Sequence, residues 1–463
     1  MSIKTDIRTP ENTLNYMKYV EIENDSRYPA VTGGLGQGVF NKSAILVQNI
    51  NDYNCSVDGT GNFNLGTDSF GRMRTSEPFT LFDSSHRYAD NNLFATTTSI
   101  AASSTFVQTQ GLIDLEVGPL SGSKVYRETK KVFSYQPGKS LQNLNTFVFS
   151  PSSANLRQRV GYFGDDNGIY LELDGDELCM VQRTLVTGSI TETKIPQSDW
   201  NYDKLDGTGP SSVTLDITKT QIQFIDIEWL GAGTVRTGFV INGVFIACHY
   251  FHHANLIAST YMTTGSLPVR YEIENLADTG SNHILKQICS TVISEGGYEL
   301  RGFQQAISTP ISAARTTSGS VGVFIPVASI KLKTTPNRLD AIVILTALSI
   351  LGTGNNNNFN WQVIAGGTVN GGTWYSAGDN SSVDYNLTGT SLSGTDQRIL
   401  ASGYFSSTNQ SSPNIDILKE ALFKFQLERD TFTQTAFPLS LVIACDDTSQ
   451  GVFGSLDWEE VSR

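Results

Sequence analysis

Apolar and polar residues alternate with a period of two along much of this chain, most clearly from Gln221 to Tyr250, QIQFIDIEWLGAGTVRTGFVINGVFIACHY. Phe224, Asp226 and Glu228 alternate there with Ile225, Ile227 and Trp229, so carboxylates fall on one face of a strand and bulky apolar groups on the other. Gly231-Ala232-Gly233 permits the positive φ angles of a reversal, and Asn242-Gly243 is the signal of a type I′ hairpin between the two strands that follow. The stretch predicts a meander with one buried face.

The same period recurs from about Tyr88 to Gly302. VYRETKKVFSYQPGKS alternates as far as Pro137-Gly138, NLNTFVFS and RQRVGYFG follow, and Asp165-Asp166-Asn167-Gly168 marks a turn. GIYLELDGDELCMVQRTL predicts a hairpin around Asp174-Gly175, with Ile169, Leu171 and Leu173 on one side. PVRYEIENL and HILKQICSTVISEGGYELRG supply closing strands. Turn signals about every 8 to 12 residues are the signature of a sandwich or jelly roll.

Gln305 to Ser320 is small, polar and turn-rich, and reads as a linker. A second β domain follows from Val321 to Arg463, with strands in VGVFIPVASIKLK, RLDAIVILTALSIL, NFNWQVIAGGTV and FPLSLVIACD, and an exposed loop at Gly354 to Asn358. One helix is predicted at Asn414 to Glu428, where Ile415, Leu418, Leu422 and Phe425 recur at spacings of three and four. Residues 1–85 are too rich in glycine and too poor in periodic segments to close a core, and read as an arm that packs on a neighbour. The expected fold class is all-β: an extended N-terminal arm (1–85), a jelly-roll domain (86–304), a linker (305–320) and a C-terminal β-sandwich with one short helix (321–463).

Composition narrows the function. Charged residues make up 17% of the 463, while glycine (42 residues) and aromatic residues (10%) are abundant, which favours strands and turns over helices. A net charge of −13 speaks against a surface that binds phosphate backbones, so no nucleic-acid partner is expected. The five cysteines are scattered, odd in number and without CxxC spacing, and read as reduced, buried thiols. The first twenty residues lack the apolar run of a secretory signal, and Ala341 to Leu351 is shorter than the roughly 20 residues that span a bilayer, so no membrane insertion is expected.

The segment Gly71 to Ser84, GRMRTSEPFTLFDS, followed by His86-Arg87-Tyr88, resembles one that recurs in virion structural proteins of tailed bacteriophages, particularly those of marine and cyanobacterial hosts. The resemblance runs over about Gly71 to Gly302 and brings no catalytic motif. It implies a non-enzymatic structural subunit of a virion, assembled in the host cytoplasm and partnered by other virion proteins and by copies of itself. Tail, baseplate or fibre is the expected position, with capsid decoration as the alternative. Arg72, Arg74, Glu77, Phe79, Phe82 and Asp83 are the expected assembly residues of the arm. The charges among them also read as a local ion-pair cluster.

FIDIEWLG resembles the active strand of laminarinase-type glycoside hydrolases, which share a concanavalin-like jelly roll and carry Glu-x-Asp-x-Glu on one strand face. By that resemblance Asp226 matches the assisting residue and Glu228 the acid/base, while Phe224 stands where the nucleophile belongs. A retaining mechanism needs that carboxylate, so the match implies the fold and speaks against the activity. A degenerate hydrolase-like adhesin for host surface polysaccharide is the second alternative, with Asp226, Glu228, Trp361, Trp374 and Tyr375 as the candidate carbohydrate-binding residues. Aromatic rings beside amides, as at Asn358 to Trp361, Trp374-Tyr375, Tyr385-Asn386 and Tyr404-Phe405, suit that role. His249, His252 and His253 read as a surface or interface cluster rather than a metal site, because no third ligand stands at a recognisable spacing. Asp165 to Gly168 and Asp174 to Glu177 depart from the calcium-loop pattern and read as hairpin turns, and no phosphate-loop, metal or cofactor motif is present.

Overall fold

The computed structural model describes residues 77–354, 356–408 and 424–462. Arg72, Arg74 and most of the expected helix lie outside them. Glu77–Arg463 forms one compact unit, which holds two β-sandwiches.

The first sandwich stacks an eight-stranded on a seven-stranded antiparallel sheet in a jelly-roll-like arrangement. The larger sheet runs, in spatial order, Val244–Phe251, Val235–Ile241, Gln221–Ile227, Leu141–Val148, His283–Ser294, Leu112–Val117 and Ser103–Val107, with Phe79–Ser85 also paired on His283–Ser294. The smaller sheet runs Thr191–Pro196, Glu177–Thr184, Gly168–Asp174, Leu156–Phe163, Val269–Asn275, Lys124–Thr129 and Phe94–Ser99. Alternation explains the stacking: Ile225, Ile227 and Leu285 from one sheet meet Val160, Leu171 and Ile273 from the other in a single core. Asn242 (φ 53°) and Gly243 (φ 79°) both adopt the left-handed conformation that a type I′ turn requires.

Phe79–Ser85 belongs to this sandwich rather than to a free arm. Phe82 is buried, its ring 5.0 Å from that of Phe133, and Phe79 stacks on Tyr298 at 6.0 Å. Asp83 and Glu77 remain exposed. The aromatic side chains of the expected assembly segment therefore serve this chain's own core.

The second sandwich faces a six-stranded sheet with a four-stranded one. Tyr375–Ser376, Val383–Asn386, Ile325–Leu332, Leu439–Cys445, Asn358–Ala365 and Arg398–Ser406 form the first. In the other, Gly451–Ser462 pairs with Phe303–Ser308, Arg315–Thr316 and Ile342–Thr353. The expected linker thus carries strands: its polar residues alternate at a sheet edge, where one face stays wet. The expected helix does not reach Glu428, because Gln426 bridges to Ile344 and Glu428–Asp430 is a strand.

Between the sheets of the first sandwich lies a vein of polar side chains. Tyr271 Oη meets Ser290 Oγ at 2.8 Å, Asn145 Nδ2 donates to Asn143 Oδ1 at 2.6 Å, and Arg127 Nε donates to Gln287 Oε1 at 2.7 Å. Gln223 sits in the same layer, opposite Asn145, fully buried and with no partner for either side-chain polar atom among the described residues. An unsatisfied buried amide costs about 1–3 kcal/mol. Gln223→Met, of similar length, is expected to raise the urea midpoint by roughly that amount of stability; a lowered midpoint would show that Gln223 is satisfied in solution.

Candidate functional site

Asp226 occupies an outward position of Gln221–Ile227, between Gln142 on one neighbouring strand and Arg236 on the other. Arg236 closes on it as a direct ion pair. Glu228 follows the last strand residue, where the chain turns through Leu230 (φ 36°) and Gly231 (φ 80°). The turn is tight at Gly233, where a Cβ would stand 1.9 Å from the Glu228 carbonyl oxygen. Glu228 is exposed and accepts from the Thr234 amide at 3.4 Å.

Both carboxylates line a cavity of about 440 Å³, together with Tyr135, Lys139, Ser140 and Arg236. Leu230 N donates to Tyr135 Oη at 3.2 Å, and Lys139 Nζ to Gln136 Oε1 at 3.0 Å. Asp226 is 5% exposed, and burial pushes its carboxyl above the ordinary range; Arg236 works against that, while Glu295 and Glu228 add to it. The carboxylates of this strand therefore do not share a solvent face: Asp226 is buried and paired, and Glu228 alone meets water.

Phe224, one outward position before Asp226, is also buried, capped edge-on by Phe245 with ring centroids 5.2 Å apart. Retaining hydrolysis requires two carboxyl groups about 5–5.5 Å apart across the scissile bond. Here an aromatic cap fills one place and an arginine holds the next carboxylate, so the arrangement can bind hydroxyls but has no nucleophile at position 224.

The aromatic candidates lie in the second sandwich. Trp361 points into its core, 5% exposed, with Gly403 so close that a Cβ there would stand 2.8 Å from the indole. Trp361 offers no ring face to a sugar, because its outward neighbours along the strand are Asn360 and Gln362. Trp374 is half-buried beneath the Lys331 ammonium, 4.4 Å from the ring centre, and Tyr375 is exposed beside Tyr385. No described cavity is lined by these rings together with Asp226 and Glu228.

The histidines do not form a surface cluster. His253 is buried and held at both ring nitrogens, by Gly233 O at 2.6 Å and Gln182 Oε1 at 2.8 Å, with its ring stacked on Tyr261. His249 is buried against Phe251 and accepts from Asn201 N at 3.3 Å, and His252 alone is exposed. Among the described residues no three His, Cys, Asp or Glu side chains come together as a metal site.

Burial pulls His249 and His86 down from 6.5 to about 4, with His252 adding to the first effect and Arg127 to the second. The folded chain therefore resists protons that the unfolded chain accepts. Stability is expected to be full above pH 6.5 and to be lost as pH falls from there toward about 4. Thermal midpoints at pH 7 and pH 5 check this, and His86→Gln is expected to shrink the difference.

No family model matches the sequence, and no curated protein matches it. Among solved structures, the chain is similar to a glycoside hydrolase family 16 endo-glucanase from Bacteroides ovatus, with a TM-score of 0.32, 8% identity, and coverage of 46% of this chain and 99% of the other. It is similar to a β-glucanase from Bacillus licheniformis (TM-score 0.29, 8% identity, 47% and 99% coverage). It is similar also to the CBM2 module of the evolved Dit of Lactobacillus casei BL23 phage J-1 (TM-score 0.32, 7% identity, 49% and 100% coverage). Similarity this low carries no site from those proteins to this chain.

Proposed function

We propose that this chain is a non-enzymatic structural subunit of a tailed-bacteriophage particle, placed in the tail, baseplate or fibre, which works by contact with neighbouring virion proteins and copies of itself. One observation supports the non-enzymatic reading: Phe224 lies buried against Phe245 where a retaining hydrolase built on this strand would need its nucleophile. The cavity beside it keeps Asp226, the carboxylate nearest Glu228 along the strand, bound to Arg236. The likeness of Gly71 to Ser84 to virion proteins supports the particle assignment.

The test is incubation of the purified chain with β-glucans and host surface polysaccharide. No reducing ends are expected to appear. Release of reducing ends by the wild-type chain, abolished in Glu228→Gln, would overturn the non-enzymatic reading.

A further inference from the structure

We propose that the second sandwich carries a binding site for a neutral sugar, built on the outward face of its six-stranded sheet from Tyr404, Asn360, Asn358 and Asp446. The strand alternation assembles it. Phe359 and Trp361 turn inward to the core, which sends Asn358 and Asn360 outward. The register pairs Asn360 with Tyr404 on one neighbouring strand and with Ala444 on the other. Phe405, next to Tyr404, turns inward and stacks on Phe359 at 4.8 Å, so Tyr404 must face out, and its ring is 78% exposed.

These groups border a cavity of about 290 Å³ that is lined also by Val321, Phe324, Phe359 and Ala444. The polar groups are prepared in advance. Asp446 is gripped by Asn358 through the backbone N–H at 2.9 Å and the side-chain amide at 2.7 Å, which fixes the plane of the carboxylate. Those hydrogen bonds also hold its carboxyl below the ordinary range. Its remaining lone pairs are left for donors. Asn360 borders the cavity as well, and its Oδ1 has no partner among the described residues.

The ligand class follows from what lines the cavity. No lysine or arginine lines it, and Asp446 repels anions, so phosphate and carboxylate ligands are disfavoured. One carboxylate already engaged by an amide is a poor cation cage, since calcium takes six to eight oxygen ligands. Acceptors that need O–H donors, beside an exposed ring that can cover C–H faces, match a neutral pyranose. The inference is independent of the virion reading, because sugar binding here requires nothing about where the chain is assembled.

The full chain is tested by saturation-transfer NMR against glucose, galactose, mannose, N-acetylglucosamine and their short oligomers. At least one is expected to bind saturably. Tyr404→Ala and Asn360→Ala are each expected to weaken that binding about tenfold, while Tyr88→Ala, an exposed tyrosine of the first sandwich, leaves it unchanged. Tyr404 is exposed, so its loss should leave the thermal midpoint nearly unaltered and separates binding from folding. The proposal is overturned if no sugar in the panel binds, if binding persists undiminished in both variants, or if inorganic phosphate binds as tightly.

Discussion

Glu128→Ala is expected to lower the free energy of unfolding by about 3–5 kcal/mol, because it removes the one carboxylate that bridges two buried guanidinium groups. Glu128 is 1% exposed and lies between Arg270 of the first sandwich and Arg429 of the second. Arg270 Nε reaches it at 2.6 Å and Arg429 Nη2 at 2.7 Å. Charges of alternating sign continue from there in both directions. Arg270 meets Glu272 at 3.1 Å, Glu272 meets Arg159 at 3.1 Å, and Arg159 meets Glu172 at 2.8 Å; on the other side Arg429 meets Asp340 at 3.1 Å.

The same seam is tied by neutral bonds, with Arg429 N donating to Lys130 O at 2.9 Å and Gln426 Nε2 to Val132 O at 2.7 Å. Phe432 adds its ring under the Arg270 guanidinium, 5.1 Å away. The two sandwiches are expected to unfold together in one urea transition, whose midpoint Glu128→Ala moves sharply downward. Glu128→Ala combined with Arg429→Met should recover part of the loss, since it removes one of the two guanidinium charges that Glu128 bridges. A shift below about 0.5 kcal/mol in the single variant would mean that the seam is wet and contributes little.

Trp458→Ala is expected to cost a similar amount, about 3–5 kcal/mol, through a different cause. Trp458 is fully buried among Leu345, Leu348 and Leu456 of the second core. Its indole N–H also donates to Glu460 Oε1 at 3.2 Å, a buried carboxylate that accepts from Ser382 N at 2.8 Å. Alanine therefore opens a cavity and removes a donor from a buried anion. Trp458→Phe keeps most of the ring and loses the donor, so the difference between the two variants in denaturant unfolding separates packing from hydrogen bonding. Equal losses would show that the hydrogen bond outweighs the volume.

The meander at Gln221 to Tyr250 was legible because its period, its glycines and its Asn-Gly pair all point to one answer. The hairpin at Asp174-Gly175 was legible for the same reason, with Asp174 paired to Glu177 as the turn requires. Other strands concealed their orientation. In Leu141–Val148 the inward residues include Asn143 and Asn145, while Leu144 faces outward, so apolar character alone assigns the face wrongly. The linker reading failed on Phe303–Ser308, whose polar residues pair at a sheet edge that tolerates them.

The candidate site was legible only in part. Asp226 and Glu228 do share a cavity, but whether a carboxylate on an amphipathic strand meets water depends on the next strand, and Arg236 is ten residues away in sequence. Trp361 looked like a binding aromatic because composition cannot say which face a ring takes; the inward register of Phe359 and Val363 decides that. By the same register Tyr404 turns outward. Arg429, which closes the seam, lies 301 positions from Glu128, a separation that no local pattern bridges.

The most direct test of the proposed virion role is gold labelling of phage particles purified from a lysate whose DNA contains this sequence, with an antibody raised against the purified chain and read by electron microscopy. Label at a repeated position on the particle, most often the tail or its baseplate, is the expected result. Label absent from intact particles, with the chain recovered only as free protein in the lysate, would contradict it.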